Sequence, residues 1–432
     1  MPRLTELSVK GELARYLYSL LWLLLLPILL INWLFNFTKF NSVVAKEYLS
    51  RFGYSNKTIV KGGIWLHCAS VGEVVAMQQL VERLLISQPC GAITISTNTM
   101  TGRERVQQLF ADKVVHLYLP YDFSWCIYPL LKKIQPRKLL ITEMELWPNL
   151  CHCSWRKKVP TYLVNGRMSE KSAASYQKLA WLSQPLLNKL SGICAQGTRD
   201  VDNYLALGAN NTTLVLTNNV KFDLVISEND YAEAAKMSEK FHLKNRTIIV
   251  AGSTHDSEEL VAIEAYRQLA QQFPNLLLIL VPRHPQRFSE VNSILLQQKL
   301  IFTRMSEPEY KENLEVLLVD KMGVLRALYS LANIAFVGGS IALRGGHNAL
   351  EPAAFGVPIL MGKSTYNNPQ ICETLHQAGA LAFIENSEDF SQQCVRWLED
   401  ETLRQQATDA GLRVINQNRG AIERTLAVLN LL

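Results

Sequence analysis

Residues 64–85 read IWLHCASVGEVVAMQQLVERLL. Residues 64–68 are a short apolar run suited to a strand buried on both faces. A tight turn through Ala69, Ser70 and Gly72 follows, and the apolar spacing then changes to that of an amphipathic helix. A strand feeding a helix in this way needs a second, parallel strand for the helix to return to. The unit recurs. Strands are expected at 92–96, 114–119, 138–142, 161–165, 192–195 and 214–217, with helical stretches between them. Residues 221–245 then hold charge, Ser, Asn and Ala without a strand pattern, which marks a domain junction. A second series follows at 247–251, 276–281, 300–304, 316–319, 334–337, 357–360 and 380–384. Helices at 256–271, 351–355, 389–398 and 403–432 interleave with it. The fold class is therefore α/β, with two doubly wound, Rossmann-like domains and an interdomain cleft. Open sheets of this kind bind ligands beyond their strand carboxyl ends.

Composition agrees with two large cores. The chain has 432 residues, 48% of them hydrophobic and 19% charged, so it is too long for one core and too apolar for extended disorder. Lys plus Arg exceed Asp plus Glu by 44 to 38, a net charge of +6. That surplus is too small at this length to imply nucleic acid, and it suits an anionic substrate or a membrane surface. Eight cysteines without a C-x-x-C pair read as buried thiols in a reducing compartment. Cys151-His152-Cys153 has no second Cys or His pair at finger spacing, so it reads as packing and not as zinc. No metal and no cofactor is expected.

Ahead of the first domain, residues 16–38 read YLYSLLWLLLLPILLINWLFNFT without a charge. As a helix they would extend about 35 Å, enough to cross a hydrocarbon core of about 30 Å. Tyr16, Tyr18 and Trp33 lie toward the ends, where interfacial aromatics are favoured. A cleaved signal peptide is the competing interpretation, since Val43-Val44-Ala45 resembles a cleavage site. The apolar stretch is long for that role. Basic residues balance on its two sides, so charge sets no orientation. The expected organisation is a membrane anchor at 1–40, one Rossmann-like domain at 41–222 and a second at 223–432.

Several residues could carry chemistry. Glu73 stands at a helix start beyond the first strand. There it could complete a capping box with Ser70, or act as a general base toward an acceptor hydroxyl while Gly72 lets a bulky substrate approach. Glu143 and Glu145 follow the strand at 138–142 and, in an extended chain, would point the same way. Lys221, near the junction, could steady a departing phosphate. In the second domain Ala251-Gly252-Ser253-Thr254-His255 is expected to open a helix and offer phosphate its backbone N–H groups and hydroxyls. Arg283 and His284 end another strand, where an Arg can grip phosphate. The run Gly338-Gly339-Ser340, followed by Gly345-Gly346-His347-Asn348-Ala349-Leu350-Glu351, suggests glycine loops before a helix start that suit phosphate and ribose. Asp200-Val201-Asp202 reads as helix surface charge and not as a metal motif.

In order along the chain, Ser70-Val71-Gly72-Glu73, Thr142 to Asn149, Val220 to Asp223, Val281 to Pro285 and Gly345 to Ala353 together resemble a known family. It is the 3-deoxy-D-manno-octulosonic acid (Kdo) transferases of lipopolysaccharide assembly. The resemblance implies a GT-B fold and a glycosyltransferase that is inverting and metal-independent. Its donor would be CMP-Kdo and its acceptor a lipid A precursor, at the cytoplasmic face of the inner membrane. It makes Glu73 the catalytic base, with Glu143 and Lys221 stabilising the transition state. Pro282 and Arg283, the loop Met322-Gly323-Val324, and Asn348, Ala349, Leu350 and Glu351 would hold CMP, and Ser253 is placed with them. The chain departs from the family pattern at Asn218-Asn219-Val220, at Val324 and at Ala349. The rival activities are transfer from a UDP-sugar by another membrane-anchored GT-B enzyme, and solute binding by a secreted two-domain protein.

Overall fold

The computed structural model describes residues 9–37, 49–307 and 311–431. The chain forms two compact units, one holding the chain to Phe222 together with Gly420–Leu432, the other Asp223–Arg419. The Val43 to Ala45 stretch lies outside the described residues.

The first unit carries strands β1 (Ile64–His67), β2 (Ile93–Thr97), β3 (Val115–Tyr118), β4 (Lys138–Thr142), β5 (Thr161–Gly166), β6 (Gly192–Ala195) and β7 (Leu214–Leu216). All pair in parallel, in the order β3-β2-β1-β4-β5-β6-β7. The strand at 64–68 is central, with Ile64, Trp65 and Leu66 fully buried. Helices cover both faces, so the strands read as continuous apolar runs rather than alternating ones. One core gathers Trp65, Ile141, Leu163 and Ile193. The other gathers Ile64, Leu66, Ile95 and Val164.

The second unit carries β8 (Thr247–Thr254), β9 (Leu276–Pro282), β10 (Phe302–Arg304), β11 (Val316–Leu318), β12 (Ile334–Val337), β13 (Ile359–Met361) and β14 (Leu381–Phe383). Their order is β10-β11-β9-β8-β12-β13-β14. This differs from the first sheet, because the fourth strand of this series slips between the third and the second. The C-terminal segment differs from expectation. Helix Glu401–Asn418 belongs to the second unit, but the chain then returns to the first. There Ala421, Ile422, Leu426 and Leu429 bury themselves in the core around Ile64 and Leu66. Left-handed Gly420, φ 86°, makes the break between the two helices.

The N-terminal helix, Val9–Phe37, is among the described residues the one long and apolar enough to cross a membrane. Its first turns are not a free tether. Arg15, 7% exposed, donates to Asn149 Oδ1 at 2.8 Å and pairs with Glu12 at 2.9 Å, and Lys189 and His152 both face Glu12 at 3.1 Å. Buried Asp122 accepts the N–H groups of Asn149 (2.9 Å) and Leu150 (2.8 Å). Helix Pro148–Arg156, which contains Cys151 and Cys153 as buried packing residues, is thereby tied to the N-terminal helix.

Candidate active site

In the first sheet the strand order reverses between β1 and β4, and side chains leaving the carboxyl ends of this pair line the natural ligand crevice. Glu73 follows β1. Ser70 caps the short helix Val71–Ala76 by accepting the Glu73 N–H, so half of the expected capping box is present. The Glu73 carboxylate does not complete it. Instead Oε2 accepts the N–H of Ala69 at 2.9 Å and lies against the Thr142 hydroxyl at the end of β4. That hydroxyl also contacts the His67 carbonyl at 2.9 Å, and its single proton serves one acceptor at a time. Oε1 accepts the Ser70 hydroxyl at 3.2 Å, which leaves it lone-pair capacity for a further donor. Glu73 is 8% exposed, and a side chain built on Gly72 would meet nothing nearer than Ser70 Oγ at 3.7 Å, so the approach over Gly72 is open.

Glu143 is the first residue past β4, and its φ of 49° is left-handed. A non-glycine residue in that region carries strain, which concentrates at functional positions. Burial and the neighbouring Glu73 charge push its carboxyl above the usual range, and Lys221 and Arg167 oppose the shift. Lys221 lies in the turn Val220–Asp223, held by Asn165 Oδ1 accepting the Val220 N–H at 3.1 Å. Burial pulls the Lys221 ammonium down, against the pull of Glu143. Glu73, Glu143 and Lys221 are therefore brought together at one sheet edge, with Arg167 beside them.

Glu145 departs from the expected parallel pair. The left-handed residue turns the chain, so the two carboxylates do not share an extended strand. Glu145 faces the buried His67 ring at 3.9 Å, an electrostatic contact rather than a hydrogen bond, and accepts the Trp147 indole N–H at 3.0 Å. These neighbours hold it below the usual carboxylate range. One carboxylate is thus raised and its neighbour lowered.

The second edge contains a larger correction. The segment at 251–255 does not open a helix: Gly252, Ser253 and Thr254 stay in β8, with a register shift and a left-handed Ser253 (φ 55°), and the helix starts at Glu258. Glu258 is fully buried. Its carboxylate accepts the N–H groups of His255 (2.9 Å), Gly339 (2.8 Å), Ser340 (3.0 Å), Ile341 (2.9 Å) and Ala342 (3.2 Å). The Gly338-Gly339-Ser340 loop, expected to cradle phosphate, therefore holds the protein's own anion. Gly338 is needed for packing, since a Cβ there would come within 2.4 Å of the Ser253 carbonyl.

The remaining nucleotide candidates sit around this loop. Pro282 ends β9 and is buried, whereas Arg283 is exposed. Met322 and Gly323 are exposed on the loop before helix Leu325–Tyr329, and Val324 is buried at its start. Ala349 and Leu350 are buried, so they can offer a ligand backbone only. Asn348 donates to Glu351 at 3.1 Å, and burial raises the Glu351 carboxyl while Asn348, Arg326 and Arg283 counter it. Three histidines complete the edge. His255 and His347 stack with their Nε2 atoms 2.8 Å apart, and His284 meets the His255 ring edge-on at 5.4 Å. Burial, then Arg283 and the other two histidines, pull His347 down to about 4.

Sequence reasoning singled out neither His67 nor Arg167 nor Glu258, nor the three histidines as a unit. His67 and Arg167 had a usable signal, because each ends or follows a parallel strand. Glu258 looked like any first-turn acid. Asp200 was misassigned as surface charge: it is fully buried, with Oδ1 accepting the Met168 N–H at 2.7 Å, while Asp202 is exposed.

The chain is similar to known proteins over most of its length. Residues 46–224 match the family described as 3-deoxy-D-manno-octulosonic-acid transferase (kdotransferase), and residues 232–414 match glycosyl transferases group 1. The 3-deoxy-D-manno-octulosonic acid transferase of Haemophilus influenzae is 36% identical over 423 residues, 96% of this chain and 98% of that protein. The Bordetella pertussis enzyme of the same name is 32% identical over 379 residues, 85% and 86% of the two chains. Among solved structures, UDP-GlcNAc 2-epimerase from Neisseria meningitidis superposes with a TM-score of 0.58 over 85% of this chain and 99% of that one. At 13% identity this shows a shared two-domain fold of the GT-B kind. With full-length identity above a third and the N-terminal family match over the sheet that carries Glu73 and Glu143, the chain belongs to the 3-deoxy-D-manno-octulosonic acid transferase family.

Proposed function

We propose that this Kdo transferase moves Kdo from CMP-Kdo to a lipid A precursor with inversion and without a metal, at the cytoplasmic side of the inner membrane. The observation that carries the proposal is the Glu73 carboxylate, held by Ala69 and Ser70 with lone-pair capacity left on Oε1, beside Glu143 and Lys221. In the proposed step Glu73 accepts the proton of an acceptor hydroxyl, and that oxygen bonds to the anomeric carbon of Kdo. The bond from that carbon to the CMP phosphate oxygen breaks, and its electron pair leaves with CMP. Attack opposite the leaving group inverts the anomeric centre. Glu143 steadies positive charge developing on the sugar, and Lys221 steadies the departing phosphate.

The donor site proposed is the second edge: Ser253, Pro282, Arg283, the loop Met322 to Val324, and Asn348, Ala349, Leu350 and Glu351. Exposed Arg283 is suited to a phosphate oxygen, whereas the Glu258-filled loop gives that site shape rather than anion contacts. The net charge of +6 suits a phosphorylated lipid. Mass spectrometry of the lipid after incubation with CMP-Kdo tests transfer and counts the Kdo units added. Competition between CMP and UDP tests the donor, because CMP is expected to compete and UDP is not. Excess chelator is expected to leave the rate unchanged; a loss restored by Mg²⁺ would overturn the metal-free step.

A further inference from the structure

A cavity of about 280 Å³ opens beside the catalytic edge of the first unit. One wall is Tyr18 of the N-terminal helix. A second is the loop after β4, with Leu146 and Trp147. The third is the helix pair Glu170–Lys178 and Ala180–Leu187, with Tyr176, Leu182 and Leu186. Two of its polar groups have partners within the unit. Glu145 Oε2 accepts the Trp147 indole N–H at 3.0 Å, and the Ser183 hydroxyl donates to the Tyr176 carbonyl at 3.1 Å. A lining made mostly of aromatic and aliphatic side chains suits hydrocarbon.

We infer that this cavity seats an acyl chain of the lipid acceptor, an inference that rests on the acceptor proposed above. Two observations select that occupant. The cavity shares Tyr18 with the helix able to cross a membrane, and Leu17, Leu20, Leu21 and Leu24 on the turns around Tyr18 are at least half exposed, so this wall belongs to an apolar helix suited to lipid. The cavity also shares Glu145 with the catalytic edge, two residues from Glu143. A chain seated there holds its sugar close to Glu73 and Glu143. Trp22 against Trp147 (6.2 Å) and Phe123 (6.4 Å) fixes the helix as a wall. Each seated methylene strengthens binding about fourfold, so the chain is recognised through KM more than kcat.

The test compares Kdo transfer to an acylated acceptor and to its deacylated sugar, in the same mixed micelles, for the full chain and for Leu182→Trp, which fills the cavity. The acylated acceptor is expected to have the higher kcat/KM, and Leu182→Trp to cut that advantage about tenfold through KM, with the melting temperature showing that the variant folds. Should it not fold, Leu179→Trp, at a position 47% exposed, fills the same space from the rim. A folded filling variant that keeps the full advantage overturns the acyl site while leaving Kdo transfer intact. No transfer to either acceptor by the unaltered chain overturns the acceptor reading and the acyl site with it.

Discussion

The carboxyl edges of the two sheets are built from the same parts and treat their acidic groups in opposite ways. Beyond β8 and β12, Glu258 is buried and satisfied by five backbone N–H groups. Beyond β1 and β4, Glu143 sits on a left-handed backbone next to another carboxylate, and its acid form is favoured. A fully bonded carboxylate has no capacity left for a substrate and acts as a fixture of the fold. A crowded, strained one is maintained at a cost to stability, which marks it as a candidate for chemistry.

The largest expected effect separates the edges outright. Glu73→Gln keeps the size of the side chain and an acceptor oxygen but removes the basic carboxylate. Transfer should fall about 10² to 10⁴-fold, while CMP affinity, assigned to the second edge, holds and stability changes by no more than ~1 kcal/mol. Rate, CMP affinity and melting temperature are read on one preparation. Undiminished transfer would leave Glu73 as an acceptor for the Ala69 N–H and pass the role of base to Glu143 or Glu145.

Glu258→Gln probes the other side. One amide oxygen cannot replace two charged oxygens toward five N–H donors. A loss of about 3 kcal/mol is expected, the size of one or two charge-assisted hydrogen bonds. Hydrogen exchange should quicken at residues 339–342 and stay slow in β1 and β4. Unchanged protection of the loop would show that Glu258 does not hold it.

Two histidines of that edge, His347 and His255, give a pH signature. His347 is pulled from 6.5 to about 4. A base with a depressed folded pKa stabilises the fold above its unfolded value, and that contribution is lost as pH falls from 6.5 through about 4. Discounted for partial exposure, the acid limb should be worth about 2 kcal/mol. His347→Asn should shrink the difference between unfolding free energies at pH 7 and pH 4. His255, also lowered, retains part of it. An unchanged limb would place the acid sensitivity elsewhere.

The fold was legible because parallel strands buried on both faces write themselves as apolar runs: every expected strand forms, from Ile64–His67 to Leu381–Phe383. The return of Ala421–Val428 to the first unit was not, since an amphipathic helix does not say which sheet it covers. Glu73 at a helix start, Glu143 at a strand end and Lys221 near the domain junction were each picked out within family motifs. Glu258 was not, because four of its five partners are backbone N–H groups more than 80 residues away, and backbone donors leave no trace in side-chain pattern. The same blindness made the glycine loop look like a phosphate cradle and Asp200 look exposed.

The smallest effect tests the strained carboxylate itself. Burial and Glu73 raise the folded pKa of Glu143 above its ordinary 4.5. The sign is opposite to that of His347: the stabilising contribution belongs to the protonated form, is complete below 4.5, and is lost as pH rises through the folded value. Glu143→Gln makes the neutral form permanent. The variant should therefore be more stable than the parent at pH 7, by up to about 1 kcal/mol for a charge pair near a surface, and the gain should vanish below pH 4.5. Transfer should fall several-fold in the same variant, because the charge that destabilises the resting site is the one proposed to steady the reacting sugar. Denaturant unfolding at pH 7 and pH 4, beside the transfer rate, checks both. A variant that is neither more stable nor slower would make Glu143 an ordinary solvated charge and erase the contrast with Glu258; one that is more stable and slower would locate the working charge at the edge of the first sheet.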